Sequence, residues 1–478
     1  MRAGDPMPAL PGNRVKAEAA MGATETVAQF VTTLTTRDIP QEAFRRARVA
    51  LLDCIGCAVA GARFPSSTLL LDFIRDCGGA PQATVVGTAL RTSAPDAALA
   101  NGMLSSALLY EDTCLIMPGH STATLLPVLL ALGETRHLSG QALLDAYVVG
   151  FELEAALGPA IAPDHYERGW HATATVGTMG AAAAACRLLG LDAERVRMAL
   201  GIATSLAAGS RQNFGAMMQA FHSGVAARNG VTAALLAQRG FSADPAILES
   251  RMGFCNLYGV GTAKLDAAMA GLGREYALLG PNLYLKLYPC GFPLQRPIDC
   301  AIELAEAHDL KAEDIEEISC GVHYLIPETV FHVNPQTGLQ GRTSIPYCVA
   351  RAILDRRMGL AQFTDEKVQD PAVRALMARV KTVVPVELGR AALRGRVNAI
   401  AAPAVMEIRL RNGRTVSTRV EQFRGAGERP LTASELAGKF RECAGTVLDA
   451  ARVTRLQEMI ENLGKLDDAA DLAALLAA

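Results

Sequence analysis

Ala181, Ala182, Ala183, Ala184 and Ala185 stand in a row, with Gly177 and Gly180 before them and Cys186, Leu188 and Leu189 after. Segments of this kind, small and apolar at helical spacing, recur from about residue 24 to residue 273, and strong strand signals are absent there. Small side chains let helix axes approach closely, so the pattern predicts a tightly packed helical bundle. The chain has 478 residues, 50% of them hydrophobic and 20% charged, which is ample for a large core and disfavours disorder.

The character changes near Arg274. A helical stretch over about 294–308 precedes an alternating strand pattern at 315–323. Further on, Asn412-Gly413 separates two alternating runs, a strong hairpin signal because both turn positions need positive φ. Thr432 and Glu435 then form a capping box ahead of a returning helical pattern. The chain is therefore expected to be mainly α. Residues 24–274 and 425–478 form one discontinuous all-α helical domain, 275–424 an inserted smaller α+β domain, and 1–23 a flexible N-terminal tail.

Composition removes several function classes. Lys and Arg number 46 against 48 Asp and Glu, without a basic run, so nucleic acid is not an expected partner. The uncharged stretch 113–133 is broken by Pro118, Gly119 and Pro127, and reads as a buried loop and helix rather than a membrane span. Arg2, Asp5, Arg14 and Lys16 interrupt any apolar signal region, and the eleven cysteines lack the dense spacing of a disulfide scaffold, so a cytoplasmic protein is expected. Cys54 and Cys57 read as small buried hydrophobes in an apolar helix. No phosphate-binding glycine loop, no G-x-S-x-G elbow and no metal-ligand spacing occurs, so nucleotide binding and serine-hydrolase chemistry have no motif support and a metal is not expected.

Few residues remain to carry chemistry. His120 lies in a polar break before an apolar helix, His171 precedes the alanine-rich helix, and His222 follows Asn213-Phe214-Gly215. By spacing alone each is more ordinarily a capping or buried histidine. Lys286, in Lys286-Leu287-Tyr288-Pro289-Cys290, stands where the helical part gives way to the α+β part, a favoured place for a small-molecule cleft. Tyr347, after Arg342-Thr343-Ser344, would ordinarily be a core tyrosine at a helix start.

The ordered set of segments resembles the MmgE/PrpD family, which includes 2-methylcitrate dehydratase, cis-aconitate decarboxylase and iminodisuccinate epimerase. It comprises Asp53-Cys54-Ile55-Gly56-Cys57, the loop from Glu111-Asp112-Thr113 to His120, Gly169-Trp170-His171-Ala172-Thr173, Asn213-Phe214-Gly215 with His222, Lys286-Leu287-Tyr288-Pro289-Cys290 and Ser344-Ile345-Pro346-Tyr347. The resemblance spans residues 24–442. It implies that the α+β domain is a lid on the all-α domain, that the protein is a homodimer working without metal or cofactor, and that its partner is a small carboxylated substrate. It also implies catalytic positions at His171, His120, Lys286, Asp112 and Tyr347, with Thr113, Gln219, His222 and Arg342 binding the substrate. Asp112 would orient a histidine or act as base. Three departures stand out: Gln219 replaces a lysine of tricarboxylate-processing members, Leu109 an acidic residue, and Gln295 a histidine.

The implied activity is that of a lyase, dehydrating or decarboxylating a di- or tricarboxylate-like substrate by α-proton abstraction. An epimerase or isomerase using the same proton transfer, and a catalytically silent dimeric binding protein, are the alternatives.

Overall fold

The computed structural model describes residues 21–393, 402–427 and 429–478. Of the expected tail only residues 21–23 fall among them, and Ala23 already opens the helix Ala23–Thr33.

The alanine-rich helix Ala172–Leu188 is the centre of the larger part: every residue in it except Arg187 is buried. Around it pack the helices Ser121–Arg136, Gly140–Ile161, Ala193–Leu206 and Met218–Gln238, while Ala94–Ser106 lies against Ser121–Arg136 and Met218–Gln238. Their small residues permit contact that larger ones would block. A Cβ on Gly102 would sit 2.6 Å from the Gly224 Cα. The helices Ala433–Ala444, Ala450–Glu461 and Ala469–Leu476 return to this body, where Phe440, Leu456 and Leu472 join the same buried cluster as Leu51 and Ile55. The predicted capping box is formed, with the Glu435 carboxylate accepting from the Thr432 amide at 2.8 Å.

Residues between Tyr288 and Val420 make a second buried cluster. Its sheet has the order Val380–Val383, Ile315–Gly321, Ala404–Leu410, Thr415–Val420, and is antiparallel except for the first pair. The last two strands are the hairpin expected at Asn412-Gly413, although only Gly413, at φ 84°, takes positive φ and Asn412 does not. The helices Gln295–Ala307 and Ile345–Asp355 pack together and against this sheet.

A two-residue ladder, Thr113–Cys114 against Leu283–Tyr284, joins distant parts of the chain. The uncharged stretch 113–133 is this strand, a turn and the start of Ser121–Arg136, buried through Glu134. Among the described residues no single helix is long and apolar enough to cross a membrane. Cys54 and Cys57 are buried and free.

Candidate active site

Two helices of the larger part begin just after a histidine. His120 precedes Ser121–Arg136 and His171 precedes Ala172–Leu188. A Cβ on Gly119 would lie 2.9 Å from the Thr173 amide nitrogen, so only glycine lets the two helix starts come this close. The imidazole rings stand edge to face with centroids 6.3 Å apart. The ladder at Thr113 and Tyr284 draws Glu111 and Asp112 toward Lys286. Where these elements meet is a cleft of about 580 Å³, open mouth included. Thr113, His120, His171, Gln219 and Lys286 line it, together with Phe292, Val330 and Thr343 from the smaller part.

His120 Nδ1 lies 2.8 Å from the main-chain oxygen of Asp112 and 3.3 Å from Glu111 Oε1. A carbonyl can only accept, so Nδ1 carries the proton and Nε2 keeps the lone pair. Burial and then the Lys286 charge lower the pKa of this imidazole, while Glu111 and the Asp112 carbonyl pull it back up. His171 Nδ1 is 2.9 Å from His222 Nδ1, so one proton is shared between those nitrogens. Burial, followed by His222 and His120, holds His171 well below the ordinary histidine range, and burial lowers His222 to about 4. The helix N-terminus beside His171 also disfavours a positive ring.

Lys286 is fully buried. Its Nζ donates to the Leu109 carbonyl at 3.1 Å and lies 3.7 Å from Glu111 Oε2. Leu109 itself is held at φ 52°, a left-handed conformation that costs a non-glycine residue about 1–2 kcal/mol. Behind this pair is another, Lys439 Nζ at 2.6 Å from Asp53 Oδ1. The Lys439 ammonium also donates to the carbonyls of Tyr110 at 2.7 Å and Lys286 at 2.9 Å, and sits 4.0 Å from the Tyr110 ring centroid. Burial and then the Asp53 charge raise the Asp112 carboxyl to about 7, against the pull of the Thr122 hydroxyl.

The structure thus brings His120, His171, Lys286, Thr113 and Gln219 into one lining. Gln219 Oε1 accepts from the Gly215 amide at 2.8 Å, which leaves its NH₂ group as a donor. His222 stands behind His171 rather than in the lining. Asp112 holds His120 through its carbonyl, and the carboxylate beside the ring belongs to Glu111. Of the two neighbouring carboxylates, it is therefore Glu111 that stands against the His120 ring.

Arg342 and Tyr347 lie outside the cleft lining. Arg342 is buried and Nη1 donates to the carbonyls of Leu108 and Pro289. The Tyr347 hydroxyl donates to the Gln362 carbonyl, and its ring packs in the second buried cluster. Neither lines the cleft, because the amphipathic helix Ile345–Asp355 turns its first apolar residues into the smaller core. Gln295 is a brace: Oε1 accepts from the Leu287 and Tyr288 amides, both at 3.2 Å, and Nε2 donates to the Tyr288 carbonyl at 2.9 Å.

Sequence reasoning assigned no role to Glu111, Asp53 or Lys439. Asp53 did carry a signal, since a lone carboxylate within an apolar helix needs a partner elsewhere. Among the described residues no group of three or more His, Cys, Asp or Glu side chains is arranged to hold a metal ion.

The profile of the MmgE/PrpD N-terminal domain matches residues 25–265, and that of the MmgE/PrpD C-terminal domain matches residues 288–465. The chain is 29% identical over 481 aligned positions to a cis-aconitate decarboxylase of Aspergillus terreus (strain NIH 2624 / FGSC A1156), covering 96% of each chain. It is 26% identical over 468 positions to the cis-aconitate decarboxylase of Homo sapiens, covering 95% of this chain and 94% of the relative. A 2-methylcitrate dehydratase of Cupriavidus necator is 25% identical over 363 positions, covering 71% of this chain and 73% of the relative. With both profiles matched in order over most of its length, the chain belongs to the MmgE/PrpD family.

Proposed function

We propose that this protein is a lyase that removes carbon dioxide from an unsaturated carboxylated substrate, with His120 delivering a proton and Lys286 holding the carboxylate that remains. Decarboxylase and dehydratase relatives are both lyases, and the decarboxylases align over nearly the whole chain while the dehydratase covers 71% of it. The observation that carries the reading is the asymmetry of the cleft: one ammonium, Lys286, beside an imidazole pinned through Nδ1, with uncharged walls.

That asymmetry suits decarboxylation. In an acid of the aconitate type the bond from the allylic carbon to its carboxylate breaks, and its electron pair becomes the new double bond. The former double-bond pair takes a proton at the carbon next to a second carboxylate. Negative charge grows toward that second carboxylate, where a fixed ammonium lowers the barrier. A cation on the departing carboxylate would oppose the reaction, because it binds a charge that disappears as carbon dioxide leaves. Glu111, 3.3 Å from Nδ1, stabilises the imidazolium that His120 becomes on gaining the proton it delivers. His171 acts as a neutral hydrogen-bonding group toward the substrate. The balance needs no electron acceptor.

We include in the proposal a helical unit of residues 24–274 with 425–478 and a smaller unit of 275–424 acting as a lid; two separate buried clusters favour two units, although Leu278 and Leu285 still pack with the helical cluster and the second begins at Tyr288. Proton NMR in deuterated water with cis-aconitate and 2-methylcitrate analogues tests the reaction. Carbon dioxide release with one solvent deuterium in the product is expected. Water loss instead would identify a dehydratase, exchange alone an epimerase, and no reaction with any of them would defeat the reading.

A further inference from the structure

We infer that the substrate is an unsaturated dicarboxylate with an uncharged substituent: a glutaconate carrying a small alkyl group where aconitate has its middle carboxylate. This rests on the decarboxylase reading and adds the charge and shape of the substrate to it.

The inference follows from where each cation near the cleft is engaged. Among the described residues, Lys286 is the only Lys, Arg, Asp or Glu in the lining. Lys439 is paired with Asp53 and capped by two carbonyls. Arg342 is tied to the carbonyls of Leu108 and Pro289. Arg211 stacks 3.6 Å over the Tyr166 ring and donates to the Tyr166 carbonyl at 2.6 Å and to Thr329 Oγ1 at 3.2 Å; its Nε is buried without a partner, behind these two lining residues and outside the lining itself. Burial holds His171 well below the ordinary histidine range, and the charge that His120 takes on with the proton it delivers is matched by Glu111, 3.3 Å from Nδ1.

One carboxylate can therefore meet Lys286, and a second, the one that leaves, can meet only neutral donors such as the Gln219 amide. A third would be pressed against Leu115, Phe292 and Val330 with no cation to match it. Burying an unmatched carboxylate is strongly unfavourable, whereas a methyl group in the same place gains from the apolar wall.

For 3-methylglutaconate the step balances as follows. The bond from C4 to the C5 carboxylate breaks and releases carbon dioxide. Its electron pair forms the C3–C4 double bond, and the former C2–C3 pair takes a proton at C2 from His120. The product is 3-methylbut-3-enoate.

The purified full chain is given 3-methylglutaconate and cis-aconitate separately in deuterated water and followed by proton NMR. Turnover of 3-methylglutaconate with one deuterium at C2, at a kcat/KM at least about tenfold above that for cis-aconitate, is expected. A smaller ratio, or a preference for cis-aconitate, overturns the inference and leaves the decarboxylase reading standing. No carbon dioxide from either compound removes both. Gln219→Lys adds a second ammonium to the lining and should shift the ratio toward cis-aconitate by about tenfold. An unchanged ratio in a variant with the parental Tm counts against the charge argument, and the parental ratio decides the matter if that variant does not fold.

Discussion

The two sides of the cleft are made differently. The helical side supplies His120 and His171, backed by Glu111, Asp112, Asp53 and Lys439, all buried or nearly so. The side from the smaller part supplies Phe292, Val330 and Thr343, and its nearby cation Arg342 is committed to main-chain oxygens. On the proposed reading, one side holds the proton-transfer groups in a polar network and the other presents shape. A closely packed alanine-rich bundle can keep buried charges at fixed distances, which is what a proton donor needs, whereas selection of a substrate arm needs only complementary apolar surface. Lys286 stands between them, reaching Leu109 and Glu111 on the helical side while Gln295 of the smaller part braces the turn that follows it.

Substitutions on each side should separate these roles. The largest effect is expected for His120→Ala, a fall in kcat/KM of about 10²–10⁴-fold. A folded His120→Ala enzyme with full turnover would break the assignment of chemistry to the helical side. Next comes Lys439→Ala, which leaves Asp53 as a buried unmatched carboxylate and should destabilise the fold by about 3–5 kcal/mol in denaturant unfolding. Replacing the pair together, Asp53→Asn with Lys439→Met, should recover most of that loss.

A smaller effect concerns pH. Asp112 has its pKa raised from 3.8 to about 7 by burial and Asp53. The unfolded chain therefore ionises this group first, and its contribution to stability falls as pH rises from about 4 to about 7, then stays level. Unfolding of Asp112→Asn beside the parent should show the variant gaining relative stability across that window. A difference that does not vary with pH would show that Asp112 is not shifted. His222, lowered to about 4, works in the opposite sense: its contribution is complete above 6.5 and is lost as pH falls toward 4. The smallest effect is expected on the other wall, where Val330→Ala should raise KM about two- to fivefold with kcat little changed. A matching loss in kcat would show that this wall takes part in the chemistry.

Much of the fold was legible locally. The helical bundle followed from its alanine spacing, the hairpin from Asn412-Gly413 and the helix Ala433–Ala444 from its capping box, because each depends on neighbouring residues. The ladder of Thr113–Cys114 with Leu283–Tyr284 was not, since two-residue strands leave no alternation to read. In the site, His120, His171 and Lys286 could be singled out as polar residues at breaks before helices or between parts. The choice between Glu111 and Asp112 could not. They are adjacent in an irregular segment, and which one reaches His120 depends on main-chain torsions set around Leu109. That Tyr347 and Arg342 stand outside the lining could not be read either, for a related reason: position beside a matched segment does not say which way a side chain turns.

By itself the sequence determined a mainly helical chain, the family to which it belongs, and the short list of histidines and a lysine able to move protons or hold a carboxylate. Only the tertiary structure decided that Lys439 answers Asp53, that Glu111 rather than the Asp112 side chain stands beside His120, and that among the described residues Lys286 alone brings a fixed charge to the lining. Helix and turn preferences act between near neighbours, so they can be read from the chain. Charge pairing falls off with distance and depends on burial, so it exists only once packing has brought distant residues together and excluded water.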